Sequence, residues 1–181
     1  MDPVELRTER LHLRPWAPGD VDVMVRGNQD PLVTAWTRVP EGYTSEMAVA
    51  RVADVQAGWE NGDQLGWAVC DAGTGEVLAA LDLRHLADDT WDVGFLCYAW
   101  ARGRAVVAEA VRAAATWAFA TLGASRVEWR AMVGNQRSRR AAEKAGFVFE
   151  GTLRGRHAAR EGVHPDTWVA SLVPADLTEK G

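Results

Sequence analysis

The residues best placed to do chemistry form Arg102-Gly103-Arg104-Ala105-Val106-Val107-Ala108-Glu109-Ala110, between a strand-like run from Trp91 to Tyr98 and a helix-like run ending near Leu122. A small-residue turn from strand into helix aims backbone N–H groups at whatever lies above it, and the helix dipole adds partial positive charge there. Arg102 and Arg104 flank the turn with two cations. That chemistry suits a phosphate or pyrophosphate; the plain alternative is an ordinary strand–helix connection. A Gly-Lys-Ser/Thr phosphate loop is excluded, because no such triplet follows. A dinucleotide fold is disfavoured, because the turn follows a hairpin in mid-chain and lacks the three-glycine spacing. Glu109 falls in the first helical turn, where the dipole favours an acid. His85, at a strand end, could serve as a base or simply be hydrogen-bonded in place.

Composition narrows the partners. The chain has 181 residues and a net charge of −5, which fits one domain over residues 1–177 with a frayed tail at 178–181. No basic block is present, so nucleic-acid binding is not expected. No apolar run reaches the ~18 residues of a membrane span, so no membrane partner is expected either. The N-terminal Met-Asp-Pro-Val-Glu lacks the apolar segment of a signal peptide, so a cytoplasmic location is expected. Cys70 and Cys97 fit no metal spacing and no disulfide framework. Both lie in strand-like apolar runs and read as buried free thiols, and no metal is expected. The acidic balance mildly favours a cationic acceptor.

The turn has to be positioned by the elements around it. Leu6 to Arg14 alternates apolar and polar residues, as a strand does. Asp20 suits the N-cap of a short helix to about Arg26. Thr44 or Ser45 caps a longer helix, with Met47, Val49, Val52, Val55 and Trp59 at helical spacing, stopped at Asn61-Gly62-Asp63. Gln64–Asp71 and Glu76–His85 form a hairpin around Ala72-Gly73-Thr74-Gly75, and Thr90–Trp100 returns beside it. Arg126–Val133 is a strand and Asn135–Ala145 a helix with Gly146 in the C-capping place. Phe147–Leu153 and Asp166–Val173 are the last strands. This order gives an α+β fold, an α/β mixed sheet of about seven strands flanked by about four helices. Trp36 falls in the loop between the first two helices.

A second segment changes the weight of the first. Gly134-Asn135-Gln136-Arg137-Ser138 runs on to Glu143-Lys144-Ala145-Gly146-Phe147 and Glu150-Gly151-Thr152-Leu153-Arg154. The combination of Asn-x-x-Ser, Glu-Lys-x-Gly-Phe and Glu-Gly-x-x-Arg resembles the GNAT superfamily of N-acetyltransferases, and within it the RimJ/RimL-like branch. Thr8-Glu9-Arg10-Leu11-x-Leu13-Arg14-Pro15 looks like that branch's first strand, and Asp92-Val93-Gly94-Phe95 like its acidic strand. The likeness extends over nearly the whole chain.

The resemblance implies acetyl-CoA as co-substrate, between two splayed parallel strands, and a primary amine as acceptor. The pyrophosphate would sit on the N–H groups of Arg102, Gly103, Arg104, Ala105, Val106 and Val107. The pantetheine would pair with Phe95, Leu96 and Cys97. Asn135 would bond the pantetheine arm, or it only caps its helix. Ser138 would lie near the sulfur and donate to the thiolate, or it only contacts backbone. Asp92 would accept the amine proton, directly or through water, or it is a plain strand residue. Trp36 and His85 would line the acceptor pocket. The resemblance also allows a homodimer. The superfamily's turn carries small residues where this chain has Ala105 and Val107. Alanine is mild if its φ is negative, but a branched valine would stand close to the phosphates. A second reading is therefore a degenerate relative that keeps the fold and binds an acyl-CoA, another ligand or a partner without acetyl transfer.

Overall fold

The computed structural model describes residues 1–157 and 162–178. Its strands are β1 (Leu6–Arg7), β2 (Leu11–Pro15), β3 (Gln64–Asp71), β4 (Val77–Ala87), β5 (Thr90–Cys97), β6 (Arg126–Met132), β7 (Val148–Leu153) and β8 (Thr167–Leu172). They form one mixed sheet in the order β1-β2-β3-β4-β5-β6-β8-β7. The helices are α1 (Val21–Asn28), α2 (Pro31–Trp36), α3 (Ser45–Asn61), α4 (Val106–Thr121), α5 (Gln136–Ala145) and α6 (Pro174–Thr178). The expected α+β architecture is present, with one strand and two short helices more than anticipated. The expected tail at 178–181 lies mostly outside the described residues.

The extra strand arises because Leu6 to Arg14 folds back on itself. The Thr8 N–H donates to the Leu11 carbonyl at 2.9 Å, and the Thr8 hydroxyl accepts from the Leu11 N–H at 2.9 Å. A run that alternates like one strand thus becomes a tight hairpin, with Leu6 opposite Leu13. Helix α2 starts where Asp30 accepts from the Leu32 N–H at 2.8 Å and Pro31 takes the first helical position. It replaces the loop expected around Trp36.

Asp20 is not the side-chain cap expected of it. Its carboxylate turns away to meet Arg14 at 2.7 and 2.8 Å. Helix α3 buries Val52, Val55 and Trp59 as expected but departs from its expected stripe at its N-terminal end. Ala48, Val52, Val55, Gly58 and Trp59 are buried, whereas Met47 and Val49 face solvent. Gly146 caps α5 as expected: its φ is 108°, and its N–H meets the carbonyls of Ala142 and Glu143.

Alternation along the strands gives the sheet two unlike faces. Leu81, Leu83, Trp91, Val93, Val127, Trp129 and Ala131 are buried on the face toward α4 and α5. Trp59, Trp67 and Trp117 meet with ring centres 5.0 to 6.3 Å apart, so α3, β3 and α4 share one aromatic cluster. The opposite face carries Asp82, Arg84, Asp92, Arg126, Glu128 and Arg130. Helix α3 crosses this face, where Arg51 meets Asp82 at 2.6 Å.

One seam interrupts the sheet. β5 and β6 are its parallel neighbours, and their pairing ends at Val93 opposite Trp129. Beyond that rung β5 stays with β4 as far as Cys97, and β6 stays with β8 as far as Met132. The two strands therefore part, and Gly94 to Cys97 are only half-buried in the middle of an eight-stranded sheet.

Candidate functional site

The parting strands lead directly into the turn singled out by the sequence. β5 ends at Cys97, a 3₁₀ turn covers Ala99–Ala101, and α4 begins at Val106. Arg102 is extended, Gly103 has φ 80°, and Ala105 has φ 60°. The negative φ under which alanine would be a mild change here is therefore not met. A left-handed alanine costs about 1–2 kcal/mol, and the surrounding contacts hold it. Arg10 reaches the Arg104 carbonyl at 3.4 Å and Glu109 at 2.9 Å, while the Thr8 hydroxyl donates to Glu109 at 2.5 Å. Glu109 thus ties the first hairpin to α4.

This backbone leaves a run of free donors. Among the described residues, no protein acceptor bonds the N–H groups from Arg102 through Ala108. Ala105 has no side chain that could cap the helix. A helix start with unmet N–H groups and positive dipole charge favours an anion. Val107 does not intrude on it. Its side chain is 6% exposed within the hydrophobic core, so only its backbone faces the turn, and the expected steric conflict is absent. Cys97, expected to be buried, is half-exposed where the strands part; burial still raises its thiol pKa.

The far wall of the opening is the start of α5. Asn135 accepts from the Ser138 N–H at 3.1 Å and caps the helix, while its amide nitrogen has no partner among the described residues. Capping therefore fixes the side chain and leaves its donor free. The Ser138 hydroxyl accepts from the Trp129 indole at 3.0 Å. Trp129 is the β6 residue of the last rung, which sets Ser138 at the apex of the opening.

Asp92 lies one rung earlier and on the other face, opposite Glu128. It is 8% exposed and meets Arg84 at 2.5 Å. Burial pushes its carboxyl up, against the pull of the Arg84 guanidinium. Arg84 reaches it by lying over Gly94, where a Cβ would come within 2.9 Å of its terminal nitrogen. The ladder continues outward. Glu128 binds Arg126 at 3.0 Å and also Arg130, and Arg126 grips Glu150 at 2.5 and 2.8 Å. The Arg126 and Ser171 bonds pull the Glu150 carboxyl down to about 2. Acids and arginines alternate along this face, so it has no strong charge of its own.

The segment around α2 spans the opening. At one end Asp30 holds Arg102 at 2.7 Å. At the other, the Trp36 ring stands against Gly134, where a Cβ would lie 3.4 Å from it. Trp36 is thus brought to the site. His85 is not: it sits beyond the closed end of the seam, bonded to the Asp88 carbonyl at 2.7 Å and edge-on to the Trp91 ring with centres 5.2 Å apart. Sequence reasoning missed Arg84, Trp129 and Asp30. Strand alternation puts Arg84 on the Asp92 face once the hairpin register is known, and Asp30-Pro31 is a readable helix start.

Known proteins supply an independent comparison. The family described as Acetyltransferase (GNAT) domain matches residues 10–148. The "Probable N-acetyltransferase YjcK" of Bacillus subtilis (strain 168) is 27% identical over 142 residues, which is 77% of this chain and 78% of that protein. The solved structure of Mycobacterium smegmatis RimJ in complex with CoA-disulfide superposes with a TM-score of 0.81 at 18% identity, covering 97% of this chain and 88% of that one. The Vibrio fischeri ribosomal-protein-S5-alanine acetyltransferase gives 0.78 at 17% identity, covering 94% and 96%.

Proposed function

The chain belongs to the GNAT acetyltransferase family, and from that premise we propose that it moves an acetyl group from acetyl-CoA to a primary amine, directly, in a ternary complex. The observation that carries this reading is the seam that opens beyond Val93 and Trp129 and runs into seven consecutive N–H groups that no acceptor among the described residues bonds. An extended pantetheine fits beside Phe95, Leu96 and Cys97. A diphosphate fits the donors of Arg102 to Val107, with Arg102 and Arg104 beside it.

The apex has chemistry on both faces. Ser138 stands on the α5 face and Asp92 on the charged face. An ammonium arriving on the charged face gives a proton to Asp92, directly or through water. The free amine then attacks the thioester carbon, while backbone N–H groups of β5 polarise the carbonyl. The carbon–sulfur bond breaks, and the thiolate takes a proton from Ser138. The second amine proton and the one held by Asp92 pass to solvent, and water returns one proton to the serine oxygen.

An acetyl-CoA titration followed by melting temperature tests binding. At 100 times the dissociation constant the protein is expected to gain about 2.7 kcal/mol, which is about 5–10 °C for a chain of this size. No shift at millimolar acetyl-CoA would sink the proposal and favour the degenerate-relative reading. Release of free thiol across a panel of peptide N-termini and small amines then finds the acceptor. Val107→Ala separates the two readings of the turn. It is expected to cost about 2 kcal/mol of stability as a core truncation and to leave the acetyl-CoA dissociation constant within about twofold. Tighter binding would mean that the valine faces the ligand after all.

A further inference from the structure

We infer that Trp129 is a positioning residue for acetyl transfer, holding the Ser138 hydroxyl so that its proton is offered to the departing thiolate. The inference rests on the reading of Ser138 as the acid. Trp129 is 2% exposed, and its indole nitrogen is donor-only. Buried away from water, that N–H must find an acceptor, and the one it finds is the Ser138 oxygen at 3.0 Å. A serine inside a helix commonly turns its proton back to a carbonyl of the preceding turn. Ser138 does not. Among the described residues its hydroxyl accepts from Trp129 and donates to no protein group.

Two contacts and the position in the helix then prepare this hydroxyl. The backbone of Ser138 is fixed by the Asn135 cap. Its position in the first turn of α5 places it in the positive end of the helix dipole, which favours loss of its proton. The bond accepted from the indole polarises the O–H further and fills one lone-pair direction, so the proton points elsewhere. Trp129 is also the β6 residue of the last rung before the strands part. One side chain therefore links the geometry of the seam to the orientation of the acid. In the transfer step the Ser138 O–H breaks as the S–H forms, and water returns a proton to the serine oxygen.

The test is a double-mutant cycle of Trp129→Phe and Ser138→Ala, reading kcat and the KM for acetyl-CoA, with melting temperature confirming the fold. Ser138→Ala is expected to lower kcat about 10²-fold. Trp129→Phe is expected to lower it about tenfold, with KM within about twofold. The double variant should match Ser138→Ala alone, because without the hydroxyl there is nothing for the indole to orient. A second variant carrying benzothienylalanine at 129 keeps the bicyclic shape without the N–H, and it should behave as Trp129→Phe. Equal losses from Trp129→Phe in the parent and in the Ser138→Ala background would overturn the inference, since the ring would then act through packing. An unchanged kcat in Ser138→Ala would instead remove the serine's role, and the inference with it, while leaving acetyl transfer by the protein intact.

Discussion

Gly27→Ala is expected to lower the melting temperature by about 4–8 °C, although it replaces glycine by a better helix former. Gly27 is a buried residue inside α1. A Cβ there would lie 2.2 Å from both Cδ1 and Cε1 of Tyr98, and 2.8 Å from Cζ. Propensity alone would reward the change by about 1 kcal/mol. Packing opposes it. The Tyr98 ring is 1% exposed and lies 4.8 Å from Trp100 at a 33° tilt, so it has nowhere to turn. The helix has to move away instead, and overpacking of a filled interior costs up to about 3 kcal/mol. For a chain of this length each kcal/mol is worth about 2–4 °C. Tyr98 is also the residue from which the turn proposed to hold the diphosphate departs, so acetyl-CoA binding should weaken in the same variant. A melting temperature equal to or above the parent's would show that α1 can shift without penalty.

The second large effect separates activity from stability. Asp92→Asn is expected to lower kcat by about 10²–10³-fold while the protein melts no lower than the parent. Burial raises the Asp92 carboxyl above its ordinary value, against the pull of Arg84, so folding disfavours its ionised form relative to the unfolded chain. Its ionised form at neutral pH therefore works against folding, and the group adds stability only as pH falls through its raised folded pKa. Asparagine removes that penalty. Arg84, left without its partner, is 46% exposed and keeps its hydration. Activity follows the opposite course, because a base must be ionised: it is lost as pH falls through the same raised value. A pH–rate profile whose acid limb is unchanged in the variant would show that Asp92 is not the base.

The sequence was most legible where one local rule decides the geometry. The glycine after α5, the Asn135 cap and the hairpin around Ala72 to Gly75 follow from short-range chemistry, and all three are present. It was least legible where distant residues settle the matter. Nothing local tells Ala105 to take a left-handed φ; Arg10, nearly a hundred residues earlier in the first hairpin, holds the turn by bonding the Arg104 carbonyl and Glu109. Trp129 and Ser138 are nine residues apart on different elements, and only packing of α5 on the sheet joins them. Arg84 meets Asp92 through a hairpin register that shifts between His85 and Ala87, which no spacing rule predicts. On α3 the expected Val52, Val55 and Trp59 are buried, whereas Met47 and Val49 have the right residue type but face solvent, and the small Ala48 and Gly58 are buried in their place.

The seam between β5 and β6 gives the sheet an edge in its own interior. Exposed strand edges invite pairing with any extended chain that fits, and proteins usually cover or shorten them. Here only four rungs join the halves β1–β5 and β6–β8, and the edge from Gly94 to Cys97 stays open. A pantetheine lying along it would do what a missing strand does elsewhere. Co-substrate binding would then complete the sheet as well as load the site. Amide hydrogens along Gly94 to Cys97 should become slower to exchange when acetyl-CoA is present. Between turnovers the protein would be a slightly unfinished fold.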